Sequence, residues 1–268
     1  MKLTTLALII ASSIAVSAQV KKPEPPPVKT PFAESLQTMV VTTKDWNATT
    51  GNARLFERKS RAAKWTAVGD EFAVVVGRTG LAWALDGPPV RPSQIKIVEP
   101  YILDNVRQPK PKTEGDGKSP AGMFPLTSVF ASAVKPEQLT FPYTKLEEST
   151  ECVDDVKSTH YNKIVNRMQV GNFDWKSSEK MLAVGEQYSL GVFVAYNAYP
   201  VTNGNGSCIF LHIWKDSSTP TAGCTAMERP NLERIVGWLD VKKNPYLVQL
   251  PEGEYDSLRK GWNLPKLK

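Results

Sequence analysis

Ser207–Met227 reads SCIFLHIWKDSSTPTAGCTAM. Its first half alternates: Cys208, Phe210, His212 and Trp214 fall on one face of an extended chain, and Ile209, Leu211 and Ile213 on the other. A period of two with β-branched and aromatic residues predicts a strand. Lys215-Asp216-Ser217-Ser218-Thr219-Pro220 predicts a polar loop, because proline cannot continue a ladder. The chain then returns through Thr221-Ala222-Gly223 to Cys224. A histidine on a rigid strand and a cysteine at the end of the next loop can meet in space. Such a pair makes a nucleophile, since imidazole can take the thiol proton and hold the resulting ion pair. Gly223 permits a tight turn and close approach of a substrate, so amides near Cys224 could face a developing oxyanion. The same residues also fit a buried cysteine in a turn beside a hydrogen-bonded histidine. The chain has only two histidines, His160 and His212, and that scarcity favours the pairing.

This stretch resembles the active-site signature of the L,D-transpeptidases (the YkuD-type catalytic domain), where a histidine precedes a small-residue–Gly–Cys turn. Gly115-Asp116-Gly117-Lys118-Ser119-Pro120-Ala121-Gly122-Met123-Phe124 resembles the G-x-G-x-[ST]-P-x-G-x-F segment found upstream in that family. Glu151-Cys152-Val153-Asp154-Asp155 with Tyr161-Asn162, and Ser177-Ser178-Glu179-Lys180-Met181, resemble a bacterial subgroup of it. Together the resemblance runs over roughly residues 39 to 250. It departs at Ala222, where the usual motif has a second histidine, and at Ala226, where it has an arginine. The loop from His212 to Cys224 is also shorter than in most members. These departures leave nucleophile and base in place and fall on the usual handling of a substrate carboxylate.

The resemblance implies an α+β, predominantly β domain with a β-sandwich-like L,D-transpeptidase fold and few helices. It implies an acyltransferase acting on peptidoglycan stem peptides, with Cys224 attacking the carbonyl after a meso-diaminopimelate or lysine residue and releasing D-Ala. His212 would accept the thiol proton, with backbone amides around Gly223 at the oxyanion, and an amine of a second stem would resolve the thioester. No metal or organic cofactor and no nucleic-acid partner are expected. Resolution by water would make an L,D-carboxypeptidase instead, and a wall-binding domain that has lost catalysis is the third reading. With Ala226 in the arginine position, Lys118, Tyr161, Asn162 and Arg229 are the candidates for binding the donor stem.

Outward from this centre, residues 1–18 read as a secretory signal: Lys2, an apolar run from Leu6 to Val16, and small residues at Val16-Ser17-Ala18. No stable membrane insertion is expected after cleavage, since the run is short for a span. Residues 19–33 read as a proline-rich linker (KKPEPPPVKTP over residues 21–31) and residues 34–268 as a single catalytic domain. The net charge of +6 suits work beside an anionic wall polymer and is also ordinary for a secreted protein. The expected location is periplasmic or cell-wall associated.

Short β-rich runs are expected at Met39–Thr43, Arg54–Arg58, Trp65–Val68, Phe72–Val76, Gly77–Trp83, Ser189–Asn197 and Pro245–Leu250. The Ser189 run is expected to pair with the His212 strand through the turn Asn203-Gly204-Asn205-Gly206. Pro230–Leu239 predicts a helix with Leu232, Ile235, Val236 and Leu239 on one face. Gly117-Lys118-Ser119 imitates the end of a phosphate-binding loop, but Lys112 stands where its first glycine belongs and Pro120 follows. Asp154-Asp155 reads as a turn rather than a metal site, for want of a clustered histidine. Of three cysteines in a secreted chain, a reactive Cys224 leaves Cys152 and Cys208 to form a disulfide or to stay as two small buried residues.

Overall fold

The computed structural model describes residues 31–84 and 111–267. The expected signal, and the linker up to residue 30, lie outside the described residues. Core packing begins at Phe32, which is buried and stacks on Trp65 with ring centroids 5.7 Å apart. Phe32 belongs to the core although it falls within the stretch 19–33 expected as linker.

In chain order the strands are β1 (Gln37–Thr43), β2 (Thr50–Glu57), β3 (Thr66–Val75), β4 (Leu81–Trp83), β5 (Ser119–Ala131), β6 (Tyr143–Lys145), β7 (Thr150–Val153), β8 (Ile164–Asn166), β9 (Ser178–Lys180), β10 (Leu190–Val194), β11 (Phe210–Ile213), β12 (Thr225–Met227) and β13 (Tyr246–Pro251). The α-helices are α1 (Arg229–Trp238) and α2 (Glu252–Leu258), and 3₁₀ segments lie at Pro31–Glu34, Met181–Tyr188 and Val241–Lys243. The fold is α+β and predominantly β.

A 10-stranded sheet runs β10-β11-β12-β3-β2-β1-β13-β5-β4, with β6 on β5. β10 also pairs with β5, so the sheet closes on itself and the layers expected of a sandwich are joined at both margins. β1 and β13 pair in parallel and are buried along their whole length, with the apolar runs Met39–Val41 and Tyr246–Val248 covered on both faces. β3 is one strand where the sequence suggests two runs; a register shift against β2 between Ala53 and Leu55 absorbs the interruption.

Helix α1 buries Leu232 and Ile235 completely and Leu239 just beyond its end, while Val236 packs half-buried at the same core. Three such side chains stabilise the docking by about 1.5–3 kcal/mol each in area bookkeeping. Pro230 lies in the first turn, where its missing N–H costs nothing.

β10 pairs antiparallel with β11, Gly191 opposite His212. The Phe130 ring lies over Gly191, and a Cβ there would stand 2.2 Å from it. Gly191→Ala is therefore expected to destabilise by about 1–3 kcal/mol through overpacking. An unchanged urea midpoint would show that the ring yields freely.

Candidate active site

Parallel pairing of β11 with β12 sets Leu211 opposite Thr225 and His212 opposite Ala226. Cys224, one residue before β12, is thereby brought beside Phe210. Its Sγ accepts the Phe210 N–H at 3.3 Å and donates to the Cys208 carbonyl at 3.3 Å. His212 follows Phe210 on the same strand face, with Nδ1 2.8 Å from the Ile213 carbonyl oxygen. A nitrogen facing a carbonyl must carry the proton, which leaves Nε2 with the lone pair a base needs. Cys224 and His212 line one cavity of about 430 Å³, together with Arg78, Lys112, Glu114, Asp154, Glu179 and Tyr188.

Both central groups are buried, at 6% and 8% exposure. Burial, reinforced by the Glu179 carboxylate, pushes the thiol up to about 12, against the pull of the Phe210 N–H, the Tyr188 hydroxyl and Lys112. Burial lowers His212 to about 4, opposed only by its bond to Ile213. Near neutral pH both groups are therefore uncharged, and among the described residues no hydrogen bond joins them. A desolvated pocket disfavours a resting thiolate–imidazolium pair, so the proton leaves the thiol as sulfur attacks.

Tyr188 is the hub that sequence reasoning missed. It ends the 3₁₀ segment Met181–Tyr188, and its ring meets His212 edge-on at 5.2 Å and Phe210 at 5.5 Å. Its hydroxyl donates to Glu179 Oε2 at 2.7 Å, and Tyr188 lines the cavity with Cys224. The loop before Cys224 is clamped by Ser119 and Thr221, whose hydroxyls both donate to the Cys224 carbonyl, at 2.8 and 2.6 Å. Ser119 opens β5 rather than a helix, unlike a phosphate-binding loop.

Gly223 lines the cavity, but its N–H donates to Thr221 Oγ1 at 3.1 Å and is not free for an oxyanion in this state. None of the four expected donor-binding residues lines the cavity. Lys118 backs the Gly223 turn with its carbonyl, and its ammonium is bonded to the Thr79 carbonyl. Tyr161 is buried and donates to Glu114 Oε2 at 2.5 Å. Asn162, buried at φ 61°, donates to the Tyr196 and Asn197 carbonyls and accepts the Cys208 N–H. Arg229 is engaged by Glu186, Glu233 and Ser189, which ties α1 to the segment carrying Tyr188. Their polar groups are spent on holding the fold.

Cys152 and Cys208 are joined by a disulfide with Cα atoms 6.0 Å apart. It ties the small sheet β8-β7-β9 to the residue two before β11. Asp155 caps a turn by accepting the Lys157 and Lys176 amides, as a turn residue should, and Asp154 is among the residues that line the cavity. His160 contacts Asp174 in the same small sheet region and does not line the cavity, so His212 is the histidine available to the thiol.

The family model YkuD, L,D-transpeptidase catalytic domain, matches residues 44–248. The chain belongs to this family. No curated protein and no solved structure matches it. Membership of the L,D-transpeptidase family assigns an L,D-transpeptidase type of activity directed at peptidoglycan peptides. Within that frame, the position where the motif resembled in the sequence has arginine is Ala226, which is fully buried opposite His212 and Val75. Among the described residues no helix is long and apolar enough to cross a membrane.

The disulfide closes a loop across a sequence separation of 56. In the chain-entropy description such closure stabilises by about 4 kcal/mol, less any strain. The double variant Cys152→Ser, Cys208→Ser is expected to unfold at correspondingly lower urea. A midpoint equal to wild type would contradict a constraining bridge.

Proposed function

We propose that the chain is a cysteine-dependent L,D-transpeptidase that acts on peptidoglycan stem peptides through an acyl-thioester on Cys224. The observation that carries this reading is that Cys224 and His212 line one cavity, with Nε2 of His212 unprotonated. Cys224 attacks the carbonyl preceding a terminal D-Ala, His212 takes the thiol proton during attack, and the same proton goes to the leaving amine. A positive group for the stem carboxylate is available without the family arginine. Arg78 is exposed on the cavity rim, held by its N–H to the Thr221 carbonyl at 2.8 Å, with its guanidinium lying over Gly117. Lys112 is paired with Asp116 at 2.9 Å and contributes less free charge.

The product would be a cross-linked or remodelled wall, with consequences for cell shape, made after export to the periplasm or the wall. Thioester hydrolysis, giving an L,D-carboxypeptidase, is the second reading, since the cavity is open to water. Mass analysis of muropeptides treated with the purified mature protein tests the choice. A cross-linked dimer is expected; loss of D-Ala alone favours the carboxypeptidase, and no change overturns both.

A further inference from the structure

The cavity holds carboxylates that Cys224–His212 chemistry does not use. Glu179 from β9, and Asp154 from the turn after β7, face the same cavity as the thiol. Asp154 makes no hydrogen bond among the described residues, and its Oδ1 is buried. Neither carboxylate takes part in an ion pair there: Lys112 is held by Asp116, and Arg229 by Glu186 and Glu233. Glu114, the third carboxylate of the cavity, already accepts the Tyr161 and Ser207 hydroxyls. A carboxylate oxygen taken from water without a partner is strongly unfavourable until a cation reaches it. The thiol shares the cavity with this negative corner, and the Glu179 carboxylate helps to push it up.

We infer that Asp154 and Glu179 receive the ammonium group of the acyl acceptor, and that Glu179 is the base that frees its amine to attack the thioester. This rests on the acyl-thioester at Cys224 proposed above. A primary amine arrives as ammonium and must lose two protons to become an amide. Glu179 takes the first, and the nitrogen lone pair attacks the thioester carbonyl. The C–S bond breaks, His212 carries the second proton from nitrogen to sulfur, and Glu179 returns its proton to solvent. Water carries no positive charge for the two carboxylates to hold, so this arrangement favours amines over hydrolysis. Desolvation, together with the Asp154 and Glu114 carboxylates, raises Glu179 to about 7 against the Tyr188 bond, which suits a base working near neutrality.

The test follows acyl-enzyme, amide and hydrolysed peptide by mass spectrometry. A tetrapeptide stem ending in D-Ala serves as donor and glycinamide as acceptor. In Glu179→Gln the ratio of amide to hydrolysis is expected to fall at least about tenfold at neutral pH, beyond any fall in acylation. It should recover as rising pH frees the glycinamide amine. An unchanged ratio, or an equal loss of both products at every pH, overturns the inference. Failure of the wild type to form any acyl-enzyme instead overturns the Cys224 reading beneath it. Asp154→Asn, which removes no hydrogen bond of the described structure, is the second variant. It should raise the glycinamide concentration needed for half-maximal transfer about fivefold, and an unshifted dependence also overturns the inference.

Discussion

Cys224→Ser is expected to lower stem-peptide turnover by about 10⁴–10⁶-fold with the circular-dichroism spectrum unchanged, as removal of a covalent nucleophile does elsewhere. The hydroxyl can keep the short contacts to Phe210 and Cys208, but an alcohol is a far poorer nucleophile beside a base as weak as His212. A carbapenem, which presents a strained carbonyl, should add its mass to the wild type and not to the variant. The assignment is sharp because the other two cysteines are bonded to each other and Cys224 is the free thiol. An adduct persisting on Cys224→Ser would move the nucleophile elsewhere.

His212→Ala is expected to slow acylation by about two to four orders of magnitude. The pH dependence distinguishes the mechanism. His212 works as a base only when neutral, and with its value lowered to about 4 it stays neutral well below the usual histidine range. Acylation by the wild type should therefore hold nearly level as pH falls from 8, and drop only toward 4. The same shift carries a stability cost in acid. Below about 6.5 the unfolded chain binds a proton that folded His212 refuses, so stability declines as pH falls from there toward 4. Dichroism at each pH separates the two effects. An acylation limb at 6.5, with a thiol that alkylates as a thiolate at neutral pH, would instead show a resting thiolate–imidazolium pair.

Local patterning made much of this legible. The alternation of Cys208, Phe210 and His212 gives β11 its faces, and Leu232, Ile235 and Leu239 give α1 its buried stripe. The pairing of β10 with β11 follows from two strong runs joined by a Gly-rich turn. What stayed hidden depends on contacts between distant segments. Closure of the sheet through β10 and β5 has no local signal. Glu179 carries only a family resemblance in the sequence, and it is the Cys152–Cys208 bridge and the Tyr188 hydroxyl that hold it at the cavity. Arg78, flanked by Gly77 and Thr79, reads as a turn residue until its loop meets Thr221. Tyr161 and Asn162 misled for the opposite reason: polar residues in a recognisable segment invite a binding role, but their hydrogen bonds run inward.

The most direct measurement is peptide mapping of protein quenched in acid during reaction with a tetrapeptide stem ending in D-Ala. The expected result is the mass of the stem lacking D-Ala on the peptide that contains Cys224, labile to hydroxylamine, with free D-Ala released in equal amount. Release of D-Ala with no adduct on that peptide, or an adduct on any other residue, would contradict a Cys224 thioester.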